Sequence, residues 1–201
     1  MFRVHIVDWA NRNKYKSYLE KYFRLRHRIY VAERGWDEIS RPIDMEIDAF
    51  DTRDAIYLLG IDLNSEVVGG SRLVPSTKPH LLADVYPVLA RGNPPKGEHV
   101  YEWTRFFVAP SLRTSGSRSR AAGIVLCALL EACLRLNIRQ LSVVCEAFWP
   151  QRFKALGWNV VELGEILQQA DGPIVGLLID ITPTALESTR DAYQIEESVV
   201  W

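Results

Sequence analysis

Apolar and polar positions alternate along "FRVHIVD", residues 2–8, which predicts a first strand. The period then becomes helical. Over "KYKSYLEKYFRLRHRIYVAER", residues 14–34, an apolar stripe runs through Leu19, Tyr22, Phe23 and Tyr30, with Asn11 or Asn13 placed to cap it. Two further runs, "AIYLLGIDL" and "EVVGGSRLV", flank an Asn64-Ser65 turn and predict an antiparallel hairpin. A short helix is expected over "HLLADVYPVLA" and a strand over "YEWTRFFVAP", which Pro110 ends. "AAGIVLCALLEACLRLN" is apolar nearly all round, as a buried helix is. "RQLSVVCEA" reads as a central strand, "WPQRFKALG" as a helix, "WNVVELG" and "PIVGLLIDI" as strands, and "TPTALESTRDAY" as a capped last helix.

The order is β-α-β-β-α-β-α-β-α-β-β-α. It predicts a single α/β domain over residues 1–201, with a mixed sheet covered by helices on both faces. The 201 residues and 48% hydrophobic content suffice for one core. The 24 Lys+Arg nearly cancel 25 Asp+Glu, and no long block of either sign appears, which argues against nucleic acid as a partner. The most apolar window is interrupted by Glu131 and Arg135, so no membrane span is expected. The beginning has neither the apolar length nor the cleavage site of a signal peptide. Cys127, Cys133 and Cys145 are odd in number, sit in apolar contexts and lack metal-ligand spacing. Buried thiols in a reducing cytoplasm, and no metal, are the expectation.

Several polar residues sit awkwardly in this pattern. Arg26 lies on the apolar helical stripe, one turn from Tyr30. "GWDEISRPIDMEIDAFDTRD" is a long acidic loop for a compact domain, with Asp48 and Asp51 flanking Phe50 after Trp36. Glu102 and Arg105 are three apart in one predicted strand, where strict alternation sends them to opposite faces. Taken singly, these are a snorkelling arginine, a solvated loop and a cross-strand ion pair with Arg72.

Together, "RHRIY", "GW", "DAFD", "GGSRLVP" and "EWTR" resemble the signature of the acyl-homoserine-lactone synthases, the autoinducer synthases of quorum sensing. The likeness runs from about Arg26 to Trp158, where "FKALGW" also matches. It implies a GNAT-like fold with a mostly antiparallel sheet and a splayed, bulged strand pair. A bulge would reset the alternation and let Glu102 and Arg105 approach one cleft. The chain departs from the family at Tyr30 and Tyr86, where Phe is usual; each added hydroxyl needs a partner if buried.

The resemblance further implies acyl transfer from a thioester to the amine of S-adenosylmethionine, then lactone closure with release of methylthioadenosine. S-adenosylmethionine and the acyl thioester, carried by coenzyme A or by acyl carrier protein, are substrates, and no bound cofactor is expected. Glu102, directly or through a water, is the candidate base, with Arg105 and Asp48 beside it. Arg26, Tyr30, Trp36, Asp48, Asp51, Arg105 and Phe106 are assigned to S-adenosylmethionine. Asp48 and Asp51 suit its cationic groups, Trp36 its adenosyl part or sulfonium, and Arg26 and Arg105 its carboxylate. Backbone amides around Arg105 and Phe106 are placed to hold the oxyanion. Arg72 braces the network beside the acyl-thioester side, which takes in Tyr86, Val143, Phe148 and Trp149.

In "RTSGSRSRAAG", Arg113, Arg118 and Arg120 with amides at a helix start can receive phosphate, as can any basic surface loop. Coenzyme A and acyl carrier protein both carry phosphate. Val143 stands where 3-oxoacyl-producing members often have Thr. "CEAFWPQRF" is similar to the branched-chain and aryl subgroup, which uses acyl-CoA; Phe148 and Trp149 either close the acyl tunnel or are plain core aromatics. Three alternatives stay open: a carrier-protein-dependent synthase, a generic N-acetyltransferase, and a noncatalytic thioester- or adenosyl-binding module.

Overall fold

The computed structural model describes residues 2–36, 42–113 and 119–201. Among these residues eight strands form one sheet: β1 (Arg3–Val7), β2 (Ile56–Ile61), β3 (Val67–Pro75), β4 (Val100–Val108), β5 (Gln140–Glu146), β6 (Val160–Glu162), β7 (Leu167–Gln169) and β8 (Gly172–Asp180). Their spatial order is β1-β2-β3-β4-β5-β8-β6, with β7 also on β8. Every pair is antiparallel except β4 with β5. The helices are α1 (Lys16–Arg26), α2 (Leu81–Asp84), α3 (Arg120–Arg135), α4 (Trp149–Ala155) and α5 (Pro183–Tyr193).

Two apolar clusters lie on the two faces of this sheet. One joins Leu19, Tyr22, Phe23, Ile29 and Tyr30 to Tyr57, Leu59 and Phe107, so α1 covers β2 to β4 on that side. The other joins α3, α4 and α5 to Leu73, Trp103, Leu141, Val143 and Leu177. The expected buried helix is α3, whose residues from Gly123 to Cys133 are all buried. Ser119 caps it, its Oγ accepting from the Ala122 N–H at 3.3 Å. Thr182 caps α5 in the same way at 3.1 Å, followed by Pro183 in the first turn.

Four local expectations are corrected. The helix drawn over 14–34 is α-helical only to Arg26; His27–Glu33 continue as a π-helix, with the Arg34 N–H reaching back five residues to the Ile29 carbonyl at 3.1 Å. Neither Asn11 nor Asn13 caps α1. Tyr15 holds the cap position without a side-chain bond, and the Asn11 side chain instead accepts from the Asp8 N–H. The helix expected over 80–90 is α2 followed by a 3-10 turn at Pro87–Leu89. β7 was not anticipated, because "LQQ" is short, polar and largely exposed.

Two features of β4 shape the site. Its pairing with β5 covers only Val100↔Gln140 to Glu102↔Ser142, although both strands continue, so they part beyond Glu102. On the other edge, Gly70 pairs with Phe107 and Arg72 with Thr104, so three steps along β4 match two along β3. The extra residue is a β-bulge, and Arg105 within it takes φ 55°, the left-handed region.

Candidate active site

The bulge resolves the conflict over Glu102 and Arg105. With one extra residue in β4, Glu102, Thr104, Arg105 and Phe107 all reach the α1 face. Trp103 and Phe106 point the other way, into aromatic contact with one another at 5.5 Å. Arg105 and Phe106 have no partner in the register of either neighbouring ladder. The Phe106 carbonyl accepts instead from the Tyr30 hydroxyl at 3.1 Å, which gives the hydroxyl absent from the family's usual Phe a partner.

On that face, three guanidiniums and three carboxylates interlock. Arg26 hydrogen-bonds Glu46 and grips Asp51 with both terminal nitrogens at 2.8 and 3.0 Å. Arg72 holds Asp48 at 2.6 and 2.9 Å, sits 2.8 Å from Asp51, and donates through Nε to Thr104 at 3.0 Å. Arg105 binds Glu46 twice at 3.0 Å and Asp48 at 2.9 Å. Tyr57 donates to Asp51 at 3.1 Å, and the Asp48 N–H does so at 2.8 Å.

Depth divides the network. Arg26, Arg72 and Glu46 are fully buried and Asp51 nearly so, whereas 14% of the Asp48 side chain and 11% of that of Arg105 meet solvent. Buried charges persist only when paired and hydrogen-bonded, and here each one is. Burial alone would raise the Asp51 pKa, but Arg26 and Arg72 outweigh it and hold the carboxyl well below the usual carboxylate range. Burial also works against Glu46, where Arg105 and Arg26 prevail and lower its pKa. Burial pulls Arg26 down, and Asp51 and Glu46 more than restore it, so its pKa rises. The four buried groups are therefore a fixed charged floor, and Asp48 and Arg105 are its edge toward solvent.

Glu102 lies apart from these ions. It is fully buried, and its two oxygens accept from the Leu81 N–H at 2.8 Å and the Leu82 N–H at 2.6 Å. Burial raises its pKa, partly offset by those two amides. Arg105 takes its orientation from Glu46 and Asp48, not from Glu102.

Where β4 and β5 part, aromatic rings line both sides. Tyr30 stacks on Trp36 at 5.1 Å, with Arg105 over Tyr30 at 5.3 Å. Across the gap, Trp149 meets the edge of Phe106 at 5.9 Å and stacks on Phe153 at 5.2 Å. Val143 is buried on β5, whereas Phe148 is 49% exposed beneath the Arg152 guanidinium. Tyr86 is half-buried at the start of the Pro87 turn.

The expected phosphate loop is only partly described. Arg118 lies outside the described residues. Arg113 pairs with Glu33 at 2.8 Å, and Arg120 donates to the Gln194 carbonyl at 2.7 Å. Cys127 and Cys133 are buried and Cys145 half-buried, all as free thiols; burial pushes Cys127 up to about 12, and the other two also rise. Among the described residues no helix is long and apolar enough to cross a membrane.

Glu46, Thr104 and Tyr57 went unrecognised in the sequence. Glu46 had a signal: in an extended segment it shares the parity of Asp48, so both point the same way. Thr104 and Tyr57 carry no mark beyond lying on strands next to Arg72.

The autoinducer synthase family model matches residues 10–187. The chain is 35% identical over 190 residues to the isovaleryl-homoserine lactone synthase of Bradyrhizobium diazoefficiens, spanning 94% of this chain and 84% of that protein. It shares 53% identity with the CoA-dependent acyl-homoserine lactone synthase MesI, at a TM-score of 0.90 over 98% of each chain. BjaI, a CoA-dependent synthase solved with S-adenosylmethionine and isopentyl-CoA, is 33% identical, with a TM-score of 0.92 over 100% of this chain and 93% of that one. The sheet itself is also that of a proposed N-acetyltransferase from Lactobacillus plantarum, at a TM-score of 0.57 and 18% identity, which bears on the fold alone. With the model match covering most of its length, this chain belongs to the autoinducer synthase family.

Proposed function

We propose that this protein is an acyl-CoA-dependent acyl-homoserine-lactone synthase that prefers a short branched or aromatic acyl group. The observation that carries the reading is the gap between β4 and β5, with Arg105 and Asp48 on one side and Phe106 and Trp149 on the other. One wall is ionic and suits a zwitterionic, cationic substrate. The other is aromatic and suits an acyl chain.

In this reading the α-amine of S-adenosylmethionine attacks the thioester carbonyl, the C–S bond breaks and coenzyme A leaves as its thiol. A free α-amine titrates at about 7.7 to 8.0, so a modest base suffices. Glu102 is the candidate, acting through a water, and its raised pKa makes it a stronger base. The amides of Arg105 and Phe106 are the candidate oxyanion donors. The substrate carboxylate then displaces methylthioadenosine at the carbon next to the sulfonium, closing the lactone. Positioning by Arg105 is the main demand of that step. Asp48 faces the ammonium, Trp36 the adenosyl group, and Arg26, Asp51 and Arg72 hold Asp48 and Arg105 in place. Free, mostly buried thiols and substrates drawn from general metabolism favour a cytoplasmic location.

Val143, which cannot donate to a 3-oxo group, argues against a 3-oxoacyl chain, and the choice of carrier rests on "CEAFWPQRF" and on the likeness to MesI and BjaI, both CoA-dependent. The test is mass spectrometry of products from S-adenosylmethionine with isovaleryl-, aryl- and straight-chain acyl-CoA and with hexanoyl and octanoyl carrier protein. Acyl-homoserine lactone and methylthioadenosine from isovaleryl- or aryl-CoA are expected. Product from carrier protein alone overturns the donor assignment, and no lactone from any donor overturns the synthase reading.

A further inference from the structure

Glu146 is the last residue of β5, four beyond Ser142, where pairing with β4 ends. It stands where the two strands have separated, and its carboxylate is divided between the two sides of the gap. One oxygen accepts from the Trp149 indole N–H at 3.0 Å. The other accepts from Arg34 at 3.1 Å. Arg34 in turn lies over the Tyr30 ring at 5.6 Å and over Trp36 at 5.4 Å. A continuous chain of contacts therefore runs Trp36–Arg34–Glu146–Trp149 across the opening.

This chain of contacts adds little stability. The Arg34 and Glu146 side chains are 46% and 35% exposed, and ion pairs so open to water contribute little to folding. The indole bond has a different consequence. Trp149 is held flat on Phe153 and edge-on to Phe106, and fixing its N–H fixes the one remaining freedom of the ring, its rotation in that plane. The position of this ring sets how much space remains beside Phe106.

We infer that Glu146 is a specificity-positioning residue: by anchoring the Trp149 indole it limits the length of acyl group admitted, and through Arg34 it ties that wall to the Trp36 side. The inference rests on the proposed acyl-transfer reading for the nature of the ligand. Its two bonds are separable. Glu146→Gln keeps a carbonyl oxygen for the indole but removes the charge that Arg34 meets. Glu146→Ala removes both, and Trp149→Phe removes the indole donor together with part of the ring.

The experiment is calorimetric binding of isovaleryl-CoA and octanoyl-CoA, with kcat and KM for each thioester and for S-adenosylmethionine. Glu146→Ala and Trp149→Phe are each expected to reduce the preference for isovaleryl-CoA about tenfold, on the scale of methylene discrimination in apolar pockets. The double variant should lose no more than Trp149→Phe alone, since without the indole donor Glu146 has no bond left to anchor that wall. Glu146→Gln should keep the preference and raise only KM for S-adenosylmethionine. An unchanged preference in Glu146→Ala overturns the inference. Wild type that binds thioesters with this preference but makes no lactone overturns the synthase reading alone; binding neither thioester overturns both.

Discussion

Gly70 on β3 lies directly beneath the ring of Tyr22 on α1: a β-carbon at Gly70 would sit 2.7 Å from the Tyr22 ring and 2.7 Å from the Leu58 carbonyl oxygen. The Tyr22 ring in turn supports the Arg26 guanidinium at 5.4 Å. Backbone on one side and a buried ring on the other leave little room to relax. Gly70→Ala is therefore expected to cost about 1–3 kcal/mol of stability and to disturb Arg26. Urea unfolding beside a turnover assay checks this; wild-type values for both would show that Tyr22 yields freely.

Removing a deep charge should differ sharply from removing one at the edge. Arg26→Ala leaves Glu46 and Asp51 short of a partner in a fully buried place, and a loss of about 3–5 kcal/mol is expected. Asp48→Asn, at the solvent edge, should cost far less stability while reducing turnover. The same denaturation series measures both, and equal losses would contradict the division by depth.

Stability should depend on pH in a direction set by these acids. The pKa values of Asp51 and Glu46 are lowered on folding, so the unfolded chain binds more protons than the native state as pH falls. Their stabilisation is complete above the unfolded values of about 4 and is lost as pH drops through the lower folded ones. Glu102 has the opposite sign: its raised pKa gives a contribution that is full below about 4.3 and lost as pH rises through the folded value. Unfolding free energies measured from pH 3 to 7 should fall below about pH 4, and fall less steeply in Glu46→Gln. A slope unchanged by that substitution would count against the assignment.

Glu102→Gln separates a base from a structural acceptor. A glutamine offers one carbonyl oxygen to two backbone N–H groups, and its own NH2 faces the second, so about 1–3 kcal/mol of stability should go. If Glu102 is also the base, turnover should drop about 100-fold or more while S-adenosylmethionine affinity stays close to wild type. Turnover that survives would leave Glu102 as an anchor for α2.

Much of this architecture was legible because period and sterics are local. β2 and β3 declare themselves by alternation around Asn64-Ser65, and α3 by its length of small and aliphatic residues. The chain could not reveal the π-helix, since "HRIYVAE" fits an α-helix equally well and the difference lies in where the Arg34 amide finds its carbonyl. The charged cluster was visible as Arg26, Asp48, Asp51, Arg72 and Arg105, but not its internal pairing. From the sequence, Asp51 and Arg26 read as ligands for substrate; folded, Arg26 is taken up by Asp51 and Glu46, and Asp51 by Arg26, Arg72, Tyr57 and the Asp48 N–H. Glu46 escaped because a spaced pattern names particular positions, while the requirement it meets, a third negative charge against three arginines, is a property of the assembled face.

The π-helical segment from His27 to Glu33 has a meaning for the gene as well as for the fold. Wider turns there consume more residues than an α-helix would over the same rise. Deleting a single codon within it would let the Arg34 amide bond a carbonyl four residues back and close an ordinary helix, so the loss is absorbed in the turn itself. Arg34 and Trp36 would keep nearly their present direction, and α1 with its buried Arg26 would stay where it is. This segment is thus a place where the gene tolerates a one-residue change of length, since the same face meets the cleft with or without the extra residue.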